Sequence, residues 1–308
     1  MQRTEFVYKQ LGGSEPLQAT VWYNSDPSTV AKPIALYFHG GNFVLGNKDM
    51  FSSHYAAELL RLGFGAVVSP NYRLGPTISL INGPLNDAKD SYLWSQTELP
   101  KLIAEDANVQ LDGKKIVTIG HSAGGTLALL MASLPQKPLA ILPVFPATYL
   151  EDSFYHTPNP AFSHIPSFPQ SVLDEVQTHI PPPSAAGPPT GPNGPDLANP
   201  RVAWLMDGIK KGTWLNALVP NNDYSQVDPS KLFNSAFPPT YFIHGEKDTL
   251  FDVRFSKKAA EELKSNGVGA EIVIVEGAPH GFDAMAKPGD EKFSIVTKGF
   301  EFLARFAV

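Results

Sequence analysis

The sequence contains no cysteine. That excludes a disulfide framework, a thiolate nucleophile and any zinc site built on thiolates. Basic residues are not in excess: 24 Lys and Arg stand against 30 Asp and Glu, for a net charge of -6. A chain of that sign has no electrostatic footprint for nucleic acid or an anionic membrane surface. Met1-Gln2-Arg3-Thr4-Glu5-Phe6 lacks the apolar run of a secretory signal, so a cytoplasmic protein is expected. Charge is also missing from Ile116 to Gln136, a stretch long enough to cross a bilayer. Its central glycines and polar residues, with β-branched residues only in its first half, argue instead for a buried strand and a buried helix. No membrane span, cofactor or metal is expected.

What is present centres on Gly120-His121-Ser122-Ala123-Gly124-Gly125. A short β-branched run, Lys115 to Ile119, precedes it, and the helix formers Thr126 to Ala132 follow. Strand, glycine-flanked serine and helix together form the context of a nucleophile elbow. The turn is so tight that strand and helix nearly touch, which demands small residues. The helix then aims its free N–H groups and positive dipole end at a reacting oxygen.

A chain of 308 residues can bury one large core, and residues 1–308 read as a single domain carrying one insertion. Phe6 to Tyr8 and Leu17 to Tyr23 form an antiparallel opening pair across the turn-rich 12–16 segment. Buried strands follow at Ile34–Phe38, Phe64–Val68, Lys115–Ile119 and Leu139–Phe145. Helices are expected at Asp49–Leu62, with Gly63 as its cap, and at Asp87–Leu99, stopped by Pro100, with Tyr92 and Leu93 facing inward. This alternation predicts an α/β fold with a mostly parallel, eight-stranded twisted sheet and helices on both faces.

The rhythm breaks over residues 147–237, where eight of the twenty positions from 181 to 200 are proline. Short helices are expected at Ser171–Thr178 and Arg201–Lys210. Trp204, Met206, Trp214, Leu215 and Leu218 carry too much apolar surface for a spacer, so the segment reads as a Pro-rich cap or lid. Strands at Thr240–His244 and Ala270–Val275 then resume the pattern. Helices are expected at Asp252–Ser265 and Asp290–Ala307, the last presenting Phe293, Val296, Phe300, Leu303 and Phe306 inward.

A serine hydroxyl needs a base to take its proton and an acid to orient that base. Eight histidines compete. His280, in Pro279-His280-Gly281-Phe282, lies between the final strand and the final helix, where a doubly wound sheet brings a loop beside the elbow. Three carboxylates follow the strand ending at His244: Glu246 is nearer the strand, Asp252 reads as a helix N-cap, and Asp248 is central in the loop. Asp248 is the chosen acid, and the chain order Ser122, Asp248, His280 fits this type of elbow. Amide donors for a developing oxyanion are expected at Ala123 and in the loop Gly40-Gly41-Asn42. Phe43, His121 and Phe282 beside these motifs, with Trp204 and Trp214 in the insertion, are the candidate substrate-pocket residues.

On His39-Gly40-Gly41-Asn42-Phe43, Asn71-Tyr72-Arg73-Leu74, Gly120 to Gly125, Asp248-x-Leu250-x-Asp252 and Pro279 to Phe282, the chain resembles the α/β-hydrolase fold. Within it, the hormone-sensitive-lipase-like esterase branch is most similar. The resemblance implies a serine carboxylic-ester hydrolase acting on a small to medium, aromatic or polyketide-like molecule, with Arg73 a structural anchor. Asn42 stands where that branch has a third glycine, a substitution similar to kynurenine-formamidase-like members. No more than a very short N-terminal cap of the kind typical of the branch is expected. An amidase or formamidase, a non-hydrolytic lyase or cyclase of secondary metabolism, and a ligand-binding protein on the same scaffold are the alternatives. A small-molecule substrate is the expected partner, and a homodimer is left open.

Overall fold

The computed structural model describes residues 1–13, 15–25, 28–107, 109–188 and 194–308. Ser14 of the opening turn and residues 189–193 of the Pro-rich stretch therefore lie outside the described residues. Eight strands form one sheet: β1 Gln2–Lys9, β2 Leu17–Tyr23, β3 Ser28–Phe38, β4 Ala66–Pro70, β5 Val109–His121, β6 Ile141–Val144, β7 Thr240–Gly245 and β8 Ala270–Val275. Their order is β1-β2-β4-β3-β5-β6-β7-β8. β1 and β2 pair antiparallel, as does β2 with β4, and every other neighbour is parallel. The expected α/β-hydrolase sheet is thus present.

Strand alternation divides the core in two. Ile34, Leu36 and Phe38 of β3 point to one face, and Ala35 and Tyr37 to the other, as the two-residue period requires. The first face is covered by α2 Asn86–Thr97, α3 Leu99–Ala107, α4 Ala123–Leu130 and α8 Val253–Ser265, together with side chains of the 147–237 segment. The second is covered by α1 Ser53–Arg61 and α9 Glu291–Ala307. Among the described residues, the 147–237 segment contains α5 Gln170–Glu175, α6 Pro200–Lys211, α7 Trp214–Leu218 and several single helical turns.

Four local expectations are corrected. The first helix splits: a turn at Lys48–Met50 comes first, and the Ser52 side chain then caps α1. Leu93 faces solvent at 46% exposure while Tyr92 is buried. Pro100 does not end the helical region; Glu98 closes α2, and Pro100 sits in the first turn of α3, where a missing N–H costs nothing. Phe306 is 43% exposed, because the buried stripe of α9 runs 293, 296, 300, 303, 307 and position 306 lies beside it.

Register places the site. Phe38 pairs with Gly120, His121 with Val144, Val144 with Ile243 and Gly245 with Val275. The loops after β3, β5, β6, β7 and β8 therefore leave one edge of the sheet together. β3 lies between β4 and β5, so the chain order reverses there, at the position where open α/β sheets bind ligands.

Candidate active site

Ser122 stands on the turn between β5 and α4 with φ of 56°, a left-handed conformation that is costly for a non-glycine residue. The crossing is held open by absent side chains. A Cβ on Gly120 would lie 2.0 Å from the Gly124 carbonyl oxygen, and one on Gly124 would lie 2.0 Å from that of Phe38. The Ser122 amide donates to Val144 O at 2.9 Å, which seats the turn on β6.

His280 Nε2 lies 3.0 Å from Ser122 Oγ, and His280 Nδ1 lies 2.7 Å from Asp248 Oδ2. The other two carboxylates of the β7 loop are engaged elsewhere. Glu246 accepts from the Gly277 amide, and Asp252 caps α8 through the Arg254 amide. Asp248 Oδ1 accepts from the amides of Leu250 and Phe251, both at 2.9 Å. His244, fully buried, brings Nε2 within 3.2 Å of Asp248 Oδ2 while its Nδ1 meets Ser256 Oγ. Burial pushes the Asp248 carboxyl upward, but the imidazoles of His280 and His244 outweigh it and hold the group well below the ordinary carboxylate range. The His280 ring is flanked by Phe145 at 4.6 Å and meets the edge of Phe251 at 5.2 Å. Neither aromatic was predicted, though Phe251 is only three residues beyond Asp248.

The loop after β3 curls beside the serine. A Cβ on Gly40 would come within 3.0 Å of His121 O and 3.2 Å of Ser122 Cβ, so the loop passes the elbow with no room to spare. Gly41, Asn42 and Phe43 all have positive φ (115°, 51° and 62°), and the Gly41 carbonyl accepts from Val44 and Leu45. Among the described residues the amides of Gly41 and Asn42 have no acceptor. Ala123, first residue of α4, has an amide with no intrahelical partner. His39 anchors the loop from behind, stacked on Tyr72 at 4.1 Å with Nδ1 2.8 Å from Gly40 O. Burial pulls the His39 imidazole down to about 4. Arg73 grips the buried Asp87 through Nε and a terminal nitrogen, and nearby Gly75 donates to Phe43 O.

The five pocket candidates separate. His121 and Phe282 pack on the α1/α9 side: His121 against Tyr37 and Phe145, each at 5.5 Å, and Phe282 against Phe145. His121 Nε2 is taken by Asp283 at 2.8 Å. Phe43 is wholly buried in the other core, and half-buried Trp204 packs against that core. Trp214 stacks on Phe251 at 6.4 Å and so stands one ring removed from His280. No helix among the described residues is long and apolar enough to cross a membrane.

The sequence profile described as alpha/beta hydrolase fold matches residues 35–284. A 5-methylorsellinic acid synthase of Aspergillus terreus is 30% identical over 94% of this chain and 13% of its own length. The non-reducing polyketide synthase adrD of Penicillium roqueforti is 31% identical over 98% of this chain and 14% of its own. The chain thus spans about one seventh of these curated relatives. Among solved structures, an esterase of Pyrobaculum calidifontis superposes with TM-score 0.65 and 23% identity, covering 100% of this chain and 86% of that one. Thermogutta terrifontis esterase 2 phosphonylated by sarin superposes with TM-score 0.67 at 18% identity, over 98% and 94% of the two chains. At such identities the likeness is one of fold.

Proposed function

Since the chain belongs to the α/β-hydrolase fold family, we propose that it is a serine carboxylic-ester hydrolase. The observation that carries the reading is the single row Ser122 Oγ, His280, Asp248 Oδ2, with spacings of 3.0 and 2.7 Å. Asp248 accepts the Nδ1 proton of His280, which leaves Nε2 as the lone pair facing the hydroxyl. His280 takes the Ser122 proton as Oγ bonds to the acyl carbon. The same proton passes to the leaving alcohol as the ester C–O bond breaks. Water then repeats the sequence on the acyl-enzyme, releasing the acid and restoring the serine. The amides of Gly41 and Ala123, with Gly40 or Asn42, are the donors for the oxyanion.

The substrate is proposed to be a small to medium ester with an aromatic or polyketide-like portion. The polyketide synthases among the relatives support that class, as do the rings of Phe145, Phe251 and Trp214 around and behind His280. A fluorophosphonate probe followed by peptide mass spectrometry tests the mechanism. Label is expected on the 116–136 peptide at Ser122, and none on Ser122→Ala. Absence of label from the intact wild-type protein would overturn the reading.

A further inference from the structure

Residues 179–187 run along the loop that carries Gly41 and Asn42, and α6 follows them. Ala186 N donates to Gly46 O at 2.9 Å, Gly46 N donates to Gly187 O at 3.2 Å, and Asn47 Nδ2 donates to Ala186 O at 3.0 Å. Leu74 N donates to Pro183 O, and Thr77 Oγ1 donates to His179 O. From the first turn of α6, Arg201 closes the strap. Its Nε donates to Val44 O at 3.0 Å, one terminal nitrogen donates to Gly75 O, and the other donates to His179 Nδ1 at 3.1 Å.

Arg201 is only 4% exposed, and the three acceptors of its guanidinium are two carbonyls and an imidazole. Among the described residues no carboxylate pairs with it, and burial pulls its pKa down to about 10. A buried cation without a counter-charge is expensive, and an apolar side chain would fix α6 at lower cost. What arginine supplies is a rigid planar fork of N–H vectors that hold several acceptors in one geometry. The loop it grips has three successive positive φ angles and needs outside support to keep them.

We propose that Arg201 is a positioning residue for the oxyanion loop. Its fork, with the 179–187 strap, fixes the backbone from Gly41 to Gly46, so the segment between β6 and β7 helps to build the oxyanion hole. The inference rests on the serine-hydrolase reading for its kinetic consequence and not for the tether itself. A misplacement near 1 Å at a reacting centre costs about 100-fold in rate, and that is the loss of kcat expected for Arg201→Met, with KM little changed. Arg201→Lys keeps the charge but has no fork, and an intermediate loss is expected. Affinity for an arylboronic acid, which mimics the tetrahedral state, falls in step with kcat/KM, while affinity for the product acid does not.

Hydrogen exchange on the same variants is the deciding measurement. The hydrogen-bonded amides of Val44, Leu45 and Gly46 are expected to exchange faster in Arg201→Met and Arg201→Lys, while β5 and β6 keep their protection. Unchanged exchange at 44–46 would overturn the tether whatever the activity does. Protection lost throughout the sheet would show a role in the whole fold and would overturn positioning. A wild-type protein that neither turns over esters nor takes fluorophosphonate would refute the hydrolase reading, and the exchange measurement would still decide the part played by Arg201.

Discussion

His121 and Asp283 make a second hydrogen bond between the two loops that bring Ser122 and His280 together. His121 Nε2 and Asp283 Oδ2 are 2.8 Å apart, one residue before the serine and three after the histidine. Tyr55 OH donates to the same oxygen from α1. Burial raises the Asp283 carboxyl, but His121 and the hydrogen bonds outweigh it and leave the group below its ordinary value.

Asp283→Ala would leave the His121 and Tyr55 donors buried without an acceptor, and a loss of about 2–3 kcal/mol is expected for hydrogen bonds to a charged group. Urea unfolding measures it, and the fluorophosphonate labelling rate should fall as well, since the His280 loop loses its anchor. Asp283→Asn keeps an acceptor and should lose less. Wild-type stability in Asp283→Ala would show that the second tether carries no weight.

Asp248→Asn should lower kcat by about 10⁴-fold, as the same change does in another serine hydrolase. The asparagine amide donates to His280 Nδ1, so the remaining ring proton moves to Nε2 and faces Ser122 where a lone pair is needed. Steady-state ester hydrolysis checks this. A variant within tenfold of wild type would mean that Asp248 does not set the tautomer.

Stability should depend on pH through His39. Its folded value is about 4, against about 6.5 in the unfolded chain. The folded state therefore refuses a proton that the unfolded state accepts. Stability is full above pH 6.5 and is lost as pH falls toward 4, by about 3 kcal/mol. Denaturant melts at pH 7 and pH 4.5 should diverge less in His39→Asn than in wild type. Asp248 and Asp283, both depressed, add losses only at lower pH. Equal pH slopes in the two proteins would contradict a neutral, buried His39.

Gly124→Ala should be among the most damaging small substitutions. The added Cβ meets the Phe38 carbonyl oxygen at 2.0 Å and that of His39 at 2.5 Å. Both are backbone atoms of the strand and loop beside the serine, which cannot rotate away. A loss of about 3 kcal/mol or more is expected, at the upper end for overpacking, and labelling of Ser122 should disappear with it. Gly267→Ala, where nothing lies within 4 Å, serves as the control. Its φ of 77° limits the cost to backbone strain.

Much of this was legible along the chain because the signals are local. All eight strands could be read from apolar runs and turns, and Asp252 from its place at the head of α8. Leu93 was misassigned because α2 buries polar residues such as Ser91 and Ser95, which weakens its hydrophobic pattern. Pro100 was read as a stop because proline breaks a helix interior and is welcome in a first turn, and only the real boundary distinguishes the two. Asp283 and Arg201 were overlooked for a common reason. Their partners lie 162 and up to 157 residues away, and no spacing rule connects a buried polar side chain to such contacts.

Local chemistry was therefore enough to mark the three loops that carry Ser122, Asp248 and His280, since each depends on residues close in sequence whose steric and donor requirements are short-ranged. The distances between them were decided by sheet register, which set Phe38 beside Gly120 and His121 beside Val144. Folding also gave His121 to Asp283 and spent Arg201 on the back of a glycine loop. A buried polar group takes whichever partner the packed chain brings within reach, and that partner is a property of three dimensions.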